Sequence, residues 1–182
     1  YDKARAKKSN ADFAESAVLL EDLDGIGVSD YSLLDLDIFK VTSNIIDTGS
    51  ISVMWSRGCP YKCTFCASHI VHGRMIRHKS NDLIIKELLH VKKLGFKRIA
   101  VYDDLFAGNR KKFLELVDKM DEAGLIGDME YLLLNSLSVT VMTEKVIDAI
   151  VRIGVQFFKF SVESGSQYTQ DHIIQKKIKE KK

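Results

Sequence analysis

Three cysteines lie close together, and the rest of the sequence contains none. Cys59, Cys63 and Cys66 have the spacing CxxxCxxC, with Pro60 inside the run. Cysteines of a protein core scatter with the hydrophobic period, and a disulfide framework would use an even number of them in a secretory context. Thiolates that converge on a short segment are what a soft metal ion or an iron–sulfur centre requires. The run therefore predicts a metal or cluster site.

Three kinds of site fit this run. The first is a cubane iron–sulfur cluster, in which thiolates hold three irons and the fourth iron stays open. The second is structural zinc with His69 or His72 as the fourth ligand. The third is a redox pair formed by Cys63 and Cys66, with Cys59 as a bystander. We favour the cluster, because zinc sites usually use two separated ligand pairs and the sequence has no second pair.

Alternating helix and strand patterns surround the cysteines. Helical stripes follow the candidate N-caps Ser80 and Thr143, and each stripe ends at a glycine. Apolar runs that predict strands cover 51–55, 98–102, 131–134 and 157–160. Four strands with helices between them predict an α/β fold with a parallel sheet and right-handed crossovers. The polar residues after each strand then share the edge of the sheet where ligands bind in such folds.

The length of the chain predicts an incomplete barrel. A closed eight-stranded barrel needs about 250 residues, whereas this chain has 182 and starts at Tyr1. We therefore expect a partial β/α, TIM-like barrel that is truncated after about four βα units, and we interpret the chain as a fragment of a longer one.

Composition excludes several classes of protein. Hydrophobic residues make up 46% and charged residues 29%, which is typical of a globular domain and not of a disordered one. The formal net charge of +2 gives no strong electrostatic reason to expect nucleic acid or an acidic membrane as a partner. No apolar run approaches the roughly 20 residues of a spanning helix, and no secretory signal opens the sequence. Reduced thiols and an oxygen-sensitive cluster predict a cytoplasmic location.

The cysteine run resembles the signature of the radical S-adenosylmethionine (radical SAM) superfamily. That signature has an aromatic residue, here Phe65, before the last cysteine, and it follows the first strand of a partial β/α barrel. The resemblance covers roughly 50–170. It implies that Cys59, Cys63 and Cys66 ligate a 4Fe–4S cluster and that Phe65 packs beside it, within reach of the adenine of S-adenosylmethionine.

The resemblance also extends to other strand ends. Asp103 and Asp104, after the second strand, are similar to the segment that meets the methionine amino group in this superfamily. Ser161 and Glu163, after the fourth strand, are similar to the segment that contacts the ribose and the methionine. The run 135–138 departs from the pattern of one branch of this superfamily, the branch that often carries an N-terminal cobalamin-binding domain. In that branch an arginine often occupies this region.

A narrower resemblance is to the branch that often carries an N-terminal cobalamin-binding domain. The stretch 20–37 is similar to the linker between the two domains, and 56–60 and 163–167 are similar to stretches of the core. We therefore divide the chain into an N-terminal extension or linker, 1–49, and the N-terminal part of a radical SAM core domain, 50–182. A cobalamin domain would then precede Tyr1.

The function implied by these resemblances is radical chemistry. The enzyme would bind the cluster and S-adenosylmethionine and cleave the latter reductively to a 5′-deoxyadenosyl radical. Cobalamin-dependent methyl transfer is the first subtype, and a cobalamin-independent rearrangement or cyclisation is the second. A small-molecule substrate and an electron donor such as flavodoxin or ferredoxin are the expected partners. No residue is assigned to substrate catalysis. The alternative is a non-catalytic zinc or iron–sulfur binding module.

Overall fold

The structure, a computed structural model, describes residues 19–41, 49–176 and 178. The predicted N-terminal extension therefore lies partly outside the described residues, at 1–18 and 42–48.

Helices and strands alternate along the described chain. The helices are α1 Leu36–Val41, α2 Ser68–His72, α3 Asn81–Lys93, α4 Arg110–Glu122 and α5 Glu144–Arg152. The strands are β1 Ser50–Val53, β2 Ser56–Arg57, β3 Arg77–His78, β4 Arg98–Val101, β5 Glu130–Leu133 and β6 Val155–Phe157. Two 3-10 turns, Asp24–Ile26 and Val139–Val141, and a π-helical segment, Thr169–Ile174, complete the described elements.

The described residues form a parallel sheet of four strands in the order β1-β4-β5-β6. Ile51 pairs with Ile99, and Ile99 pairs with Tyr131. The α/β class and the parallel sheet of the sequence analysis are thus confirmed. Because all four strands run in one direction, their carboxyl ends lie at one edge of the sheet, and the cysteine run follows the first of them.

Apolar burial holds this frame together. Ile99 and Tyr131 in the sheet, Leu88 on α3 and Val146 on α5 are all fully shielded from solvent. The strands are therefore covered by helices, as expected for a parallel sheet.

Side chains cap the three long helices at their N-termini. The oxygen of Ser80 accepts the N–H of Leu83 at 3.2 Å, and Thr143 accepts that of Val146 at 3.3 Å. Asn109 caps α4 in the same way. The predicted caps Ser80 and Thr143 are confirmed, because a hydroxyl at this position satisfies an amide that the first turn leaves unpaired.

The last strand differs from its prediction. The apolar run suggested 157–160, whereas the strand is Val155–Phe157 and Phe160 makes an isolated bridge with Leu137. The pairing of β5 with β6 shifts register after Tyr131, so the ladder ends before the apolar run does. The run of aromatic residues thus predicted the approximate position of the strand but not its first and last residues.

The described part of the predicted linker lies against α3. Leu23 is buried, and the carboxylate of Asp24 accepts the N–H of Ser80 at 2.6 Å. The ring of Tyr31 stacks on His90 with 6.0 Å between centroids. Within the described helices, none is long and apolar enough to cross a membrane.

Candidate functional site

A short hairpin, separate from the four-stranded sheet, encloses the cysteines. Strands β2 and β3 pair antiparallel, with Ser56 opposite His78 and Arg57 opposite Arg77. The segment that they enclose, 58–76, contains the three cysteines and α2. We call residues 58–67 the cysteine loop.

Gly58 fixes the entry to the cysteine loop. Its φ is +98°, and a Cβ built on it would lie 2.2 Å from the backbone oxygen of Met75. A side chain cannot be accommodated there without moving main chain, so the position requires glycine. The next amide, that of Cys59, donates to the carbonyl of Gly73 at 3.2 Å. The two ends of the enclosed segment are therefore tied beside the first cysteine.

The cysteines are half-buried free thiols. A turn brings the second and third together, because the amide of Cys66 donates to the carbonyl of Cys63 at 3.2 Å. Burial raises the pKa of Cys59 and of Cys63, and the charge of Lys176 opposes the rise at Cys63. Since metal ligation takes the thiolate form, binding at these residues would release protons.

The prediction of a metal centre at this loop rests on the donor set and its spacing. Within the described ranges, no three His, Cys, Asp or Glu side chains are grouped as the ligands of one metal ion. The donors that the loop offers are three soft sulfurs on one short segment, which is the chemistry of an iron–sulfur centre.

Asp103 holds the end of β1 from inside the protein. It is 5% exposed, and its carboxylate accepts the N–H of Trp55 at 2.7 Å and the hydroxyl of Ser56 at 2.6 Å. Burial raises the pKa of Asp103 to about 6, although these two hydrogen bonds oppose the rise. The side chain therefore links the carboxyl end of β4 to the residues that lead into the cysteine loop.

Asp104 contacts the first residue of the cysteine loop and the helix that directly follows the loop. Its carboxylate accepts the N–H of Gly58 at 2.8 Å and the hydroxyl of Ser68 at 2.7 Å. It also lies 2.7 Å from Nδ1 of His72 on α2. Asp103 and Asp104 thus make their observed contacts with the chain itself, and their predicted contact with a methionine amino group stays a prediction.

The segment after β6 returns to the cysteine loop. Thr64, between the second and third cysteines, donates its N–H to the carbonyl of Ile174 at 3.0 Å and its hydroxyl to the carbonyl of Ile173 at 2.8 Å. The described chain therefore holds the middle of the loop as well as its two ends.

The predicted ribose segment is braced by a buried lysine. The ammonium of Lys176 donates to the carboxylate of Glu163 at 3.0 Å and to the backbone oxygen of Ser161. Its side chain is 8% exposed, and its charge reaches Cys63, as the pKa of that thiol indicates. Glu163 adopts a left-handed φ of +70°, which non-glycine residues rarely take. Lys176 therefore contacts both Ser161 and Glu163, and its charge also acts on Cys63.

The remaining predicted positions are less enclosed. The ring of Phe65 is 62% exposed, so it is free to pack against a ligand, and its predicted role stays untested. Nδ1 of His69 lies 3.1 Å from the carbonyl of Cys66, while His72 is engaged by Asp104. In both rings the observed contact is made by Nδ1, and the role of either histidine as a fourth zinc ligand stays a prediction.

Sequence reasoning missed the residues that position the cysteines. Gly58, Ser68 and Lys176 carry no motif that marks them as residues that position the loop, and His72 was considered only in connection with a metal site. The signal for Gly58 was its place directly before the first cysteine. The partners of Asp104 could not be found, because they are joined by contacts across 32 to 46 positions of sequence.

The chain matches a known family over most of its length. The Radical SAM superfamily matches residues 53–182, which include the cysteine loop and all strands after β1. The chain belongs to the radical SAM superfamily. The resemblance from which the sequence analysis inferred this membership is thus confirmed.

Its similar proteins include several methyltransferases. An uncharacterized methyltransferase of Pyrococcus horikoshii is 33% identical over 150 residues, which are 81% of this chain and 31% of the relative. The hopanoid C-2 methylase of Rhodopseudomonas palustris is 39% identical over 72 residues, 39% of this chain and 14% of that protein. The chain therefore spans a third or less of the length of these relatives.

A solved structure shares the fold. The radical S-adenosylmethionine methyltransferase TsrM from Kitasatospora setae, solved with cobalamin and a 4Fe–4S cluster bound, superposes with a TM-score of 0.60. The match covers 66% of this chain and 24% of TsrM at 12% identity. This likeness supports the partial barrel expected for the family.

Proposed function

We propose that this chain is part of the core of a radical SAM methyltransferase. In this proposal Cys59, Cys63 and Cys66 hold a 4Fe–4S cluster, and the absence of a fourth cysteine from the sequence leaves one iron for S-adenosylmethionine. When bound, the cluster supplies an electron that cleaves a carbon–sulfur bond of the cofactor. The observation that carries the proposal is the cysteine loop at the carboxyl end of β1, inside the matched family region.

The residues of the chain prepare this loop for a ligand. The three thiols are accessible but half-buried, and backbone hydrogen bonds hold the loop near Cys59 and at Thr64. Lys176 adds a buried positive charge close to Cys63, where it lowers the cost of gathering several thiolates. The donor type, the charge and the enclosure all fit an anionic iron–sulfur centre.

S-adenosylmethionine would lie between the cysteine loop and the ends of the following strands. We propose that Phe65 contacts the adenine and that Ser161 and Glu163 contact the ribose and the methionine part. Glu163 is supported by its contact with Lys176, whose charge also acts on Cys63. For Asp103 and Asp104 the ammonium contact remains a proposal, and the carboxylate of Asp103 would reach it only after a rearrangement, since it is buried.

Methyl transfer is proposed from the relatives and from the likeness of 20–37 to a cobalamin-domain linker. Several similar proteins are named as methyltransferases, and TsrM was solved with cobalamin. We propose that cobalamin is supplied by a domain outside this sequence, that the substrate is a small molecule, and that a flavodoxin or ferredoxin delivers the electron.

Anaerobic reconstitution tests the proposal. The chain should bind about four irons and turn brown, and under reducing conditions it should convert S-adenosylmethionine to 5′-deoxyadenosine or transfer its methyl group. Cys63→Ala should lower the bound iron and abolish this turnover, whereas Lys111→Ala on an exposed face of α4 should change neither.

The alternative function gives a different result. A colourless protein with one zinc per chain would identify a structural zinc module. A bound cluster that leaves S-adenosylmethionine intact in the complete protein would identify an iron–sulfur module without this chemistry. Either result would contradict the proposed enzyme.

A further inference from the structure

Asp104 is the residue that joins the two ends of the cysteine loop. It accepts the amide of Gly58, next to the first cysteine, and the hydroxyl of Ser68, two positions after the third. The third partner, Nδ1 of His72, lies at the end of α2. These hydrogen bonds measure 2.7 to 2.8 Å, and the side chain of Asp104 is 11% exposed.

We propose that Asp104 is a positioning residue, which sets the separation of Cys59 and Cys66 and so determines how the loop receives its cluster. This inference rests on the proposed function, because it concerns the cysteines as ligands. Asp104 itself follows β4, a strand paired on both sides, so the carboxylate starts from a rigid base. Hydrogen bonds to an ionised acceptor are about twice as strong as neutral ones.

The cysteine loop needs such a holder. Its residues 58–67 form no helix or strand, so ordering them costs conformational entropy that no regular ladder offsets. Through its hydrogen bonds with Gly58 and Ser68, the single side chain of Asp104 restrains the loop on both sides of the cysteines. Removing them would allow the first and third sulfurs to move independently.

The hydrogen bonds already made also limit what else Asp104 can do. A carboxylate offers about four lone-pair positions, and two donors meet Oδ2 while one meets Oδ1. At most one position, on Oδ1, remains for a cofactor ammonium. Holding the loop is therefore the main role of this side chain, and any contact with a cofactor is additional.

Two variants and a matched control test this inference. Asp104→Ala removes both acceptor oxygens, and Asp104→Asn keeps the shape and one acceptor oxygen. Asp128→Asn is the control, because Asp128 is 62% exposed and its carboxylate contacts Lys92 at 2.6 Å, away from the loop. Circular dichroism of each variant establishes that the α/β frame is folded.

The first measurement is hydrogen exchange of the cluster-free protein. In Asp104→Asn the amides of 58–73 should exchange about tenfold faster, the factor expected for the loss of one such hydrogen bond. Helix α3 should exchange as in the wild type, and Asp128→Asn should leave 58–73 unchanged. Unchanged exchange of 58–73 in Asp104→Asn would overturn the inference, whether or not the chain binds a cluster.

The second measurement is made on reconstituted protein. Asp104→Asn should bind less than half of the wild-type iron, and its reduced cluster should give a mixture of electron paramagnetic resonance signals. Asp104→Ala should bind still less iron than Asp104→Asn, because alanine has no acceptor oxygen for the loop whereas asparagine retains one. If Asp104→Ala fails to fold, Asp104→Asn decides.

The two failures are distinguishable. Wild-type iron content, signal and midpoint potential in both Asp104 variants would overturn the positioning role while leaving the proposed function intact. A wild type that binds no cluster would contradict the proposed function, and the exchange experiment would still decide whether Asp104 orders the loop.

Discussion

The α/β frame and the cysteine loop are held together by different forces. The frame buries aliphatic and aromatic side chains such as Ile99 and Leu88, which are inaccessible to solvent. The loop has half-buried thiols and is held by hydrogen bonds to the carboxylate of Asp104 and to distant backbone carbonyls. The frame therefore supplies position, while a few hydrogen bonds supply the precision that metal ligands need.

The largest effect should come from closing the entry to the loop. Gly58→Ala places a Cβ 2.2 Å from the carbonyl of Met75 and also imposes a left-handed φ on alanine. We expect a loss of about 4 kcal/mol in unfolding free energy, together with the loss of iron binding. Denaturant titration and iron analysis measure the two effects.

Gly95→Ala is the matched control for this substitution. Gly95 has a φ of +89° but nothing within 4 Å of its Cβ position. It should cost about 1–2 kcal/mol, the backbone part alone, and keep its iron. Equal effects of the two substitutions would show that the contact with Met75 is unimportant.

A cavity in the frame should separate stability from iron binding. Leu88→Ala removes a side chain that is fully buried on α3, and such truncations cost about 3 kcal/mol. Its neighbour Leu89 is 43% exposed, so Leu89→Ala should cost much less. The folded Leu88→Ala protein should still bind iron as the wild type does, and a proportional loss of iron would remove the distinction between frame and loop.

Asp103 links the two regions and should make stability depend on pH. Its pKa is raised from 3.8 to about 6 in the folded protein, so the folded state binds the proton more tightly than the unfolded chain. Its contribution is therefore fully present below pH 4 and is lost as pH rises through 6. The unfolding free energy that is lost over this pH range is up to about 3 kcal/mol.

Denaturant titrations between pH 4 and pH 7 measure this contribution. The difference in unfolding free energy between wild type and Asp103→Asn should change across that window. Asp128→Asn is the control, because Lys92 lowers the pKa of that exposed carboxyl and its titration lies below the window. A constant difference between wild type and Asp103→Asn would contradict the assigned pKa.

The smallest effect concerns the charge of Lys176 beside the proposed cluster site. Lys176→Met removes a buried cation near Cys63, and a reduced cluster carries one more negative charge than an oxidised one. The midpoint potential should therefore fall by on the order of tens of millivolts. Lys111→Met, whose side chain is 88% exposed, should leave the potential unchanged. A shift of equal size in both variants would exclude a local role for Lys176.

The frame could be predicted from the sequence because its signals are local. The stripe on α3, its cap Ser80 and the apolar runs of the strands all repeat over a few neighbouring residues. The last strand was misplaced by two residues because the register shift after Tyr131 depends on its partner. Local patterns were therefore sufficient to predict which helices and strands form, whereas the bounds of the last strand depend on tertiary contacts.

The cysteines could be predicted, but the groups that hold them could not. The spacing of three cysteines is a sequence pattern, whereas the contact of Thr64 with Ile173 joins residues 109 positions apart. From the sequence, Asp103 and Asp104 were predicted to contact a ligand. In the structure their carboxylates accept hydrogen bonds from residues at the entry of the loop. The sequence shows which side chains can act as ligands, whereas the fold determines which of them are instead engaged in positioning the loop.

One measurement tests the central claim most directly: the electron paramagnetic resonance spectrum of the reduced, reconstituted chain, recorded with and without S-adenosylmethionine. The proposed ligation by three thiolates leaves one iron open, so added S-adenosylmethionine should shift the g-values of the cluster signal. A cluster signal that is identical with and without the cofactor would contradict the account.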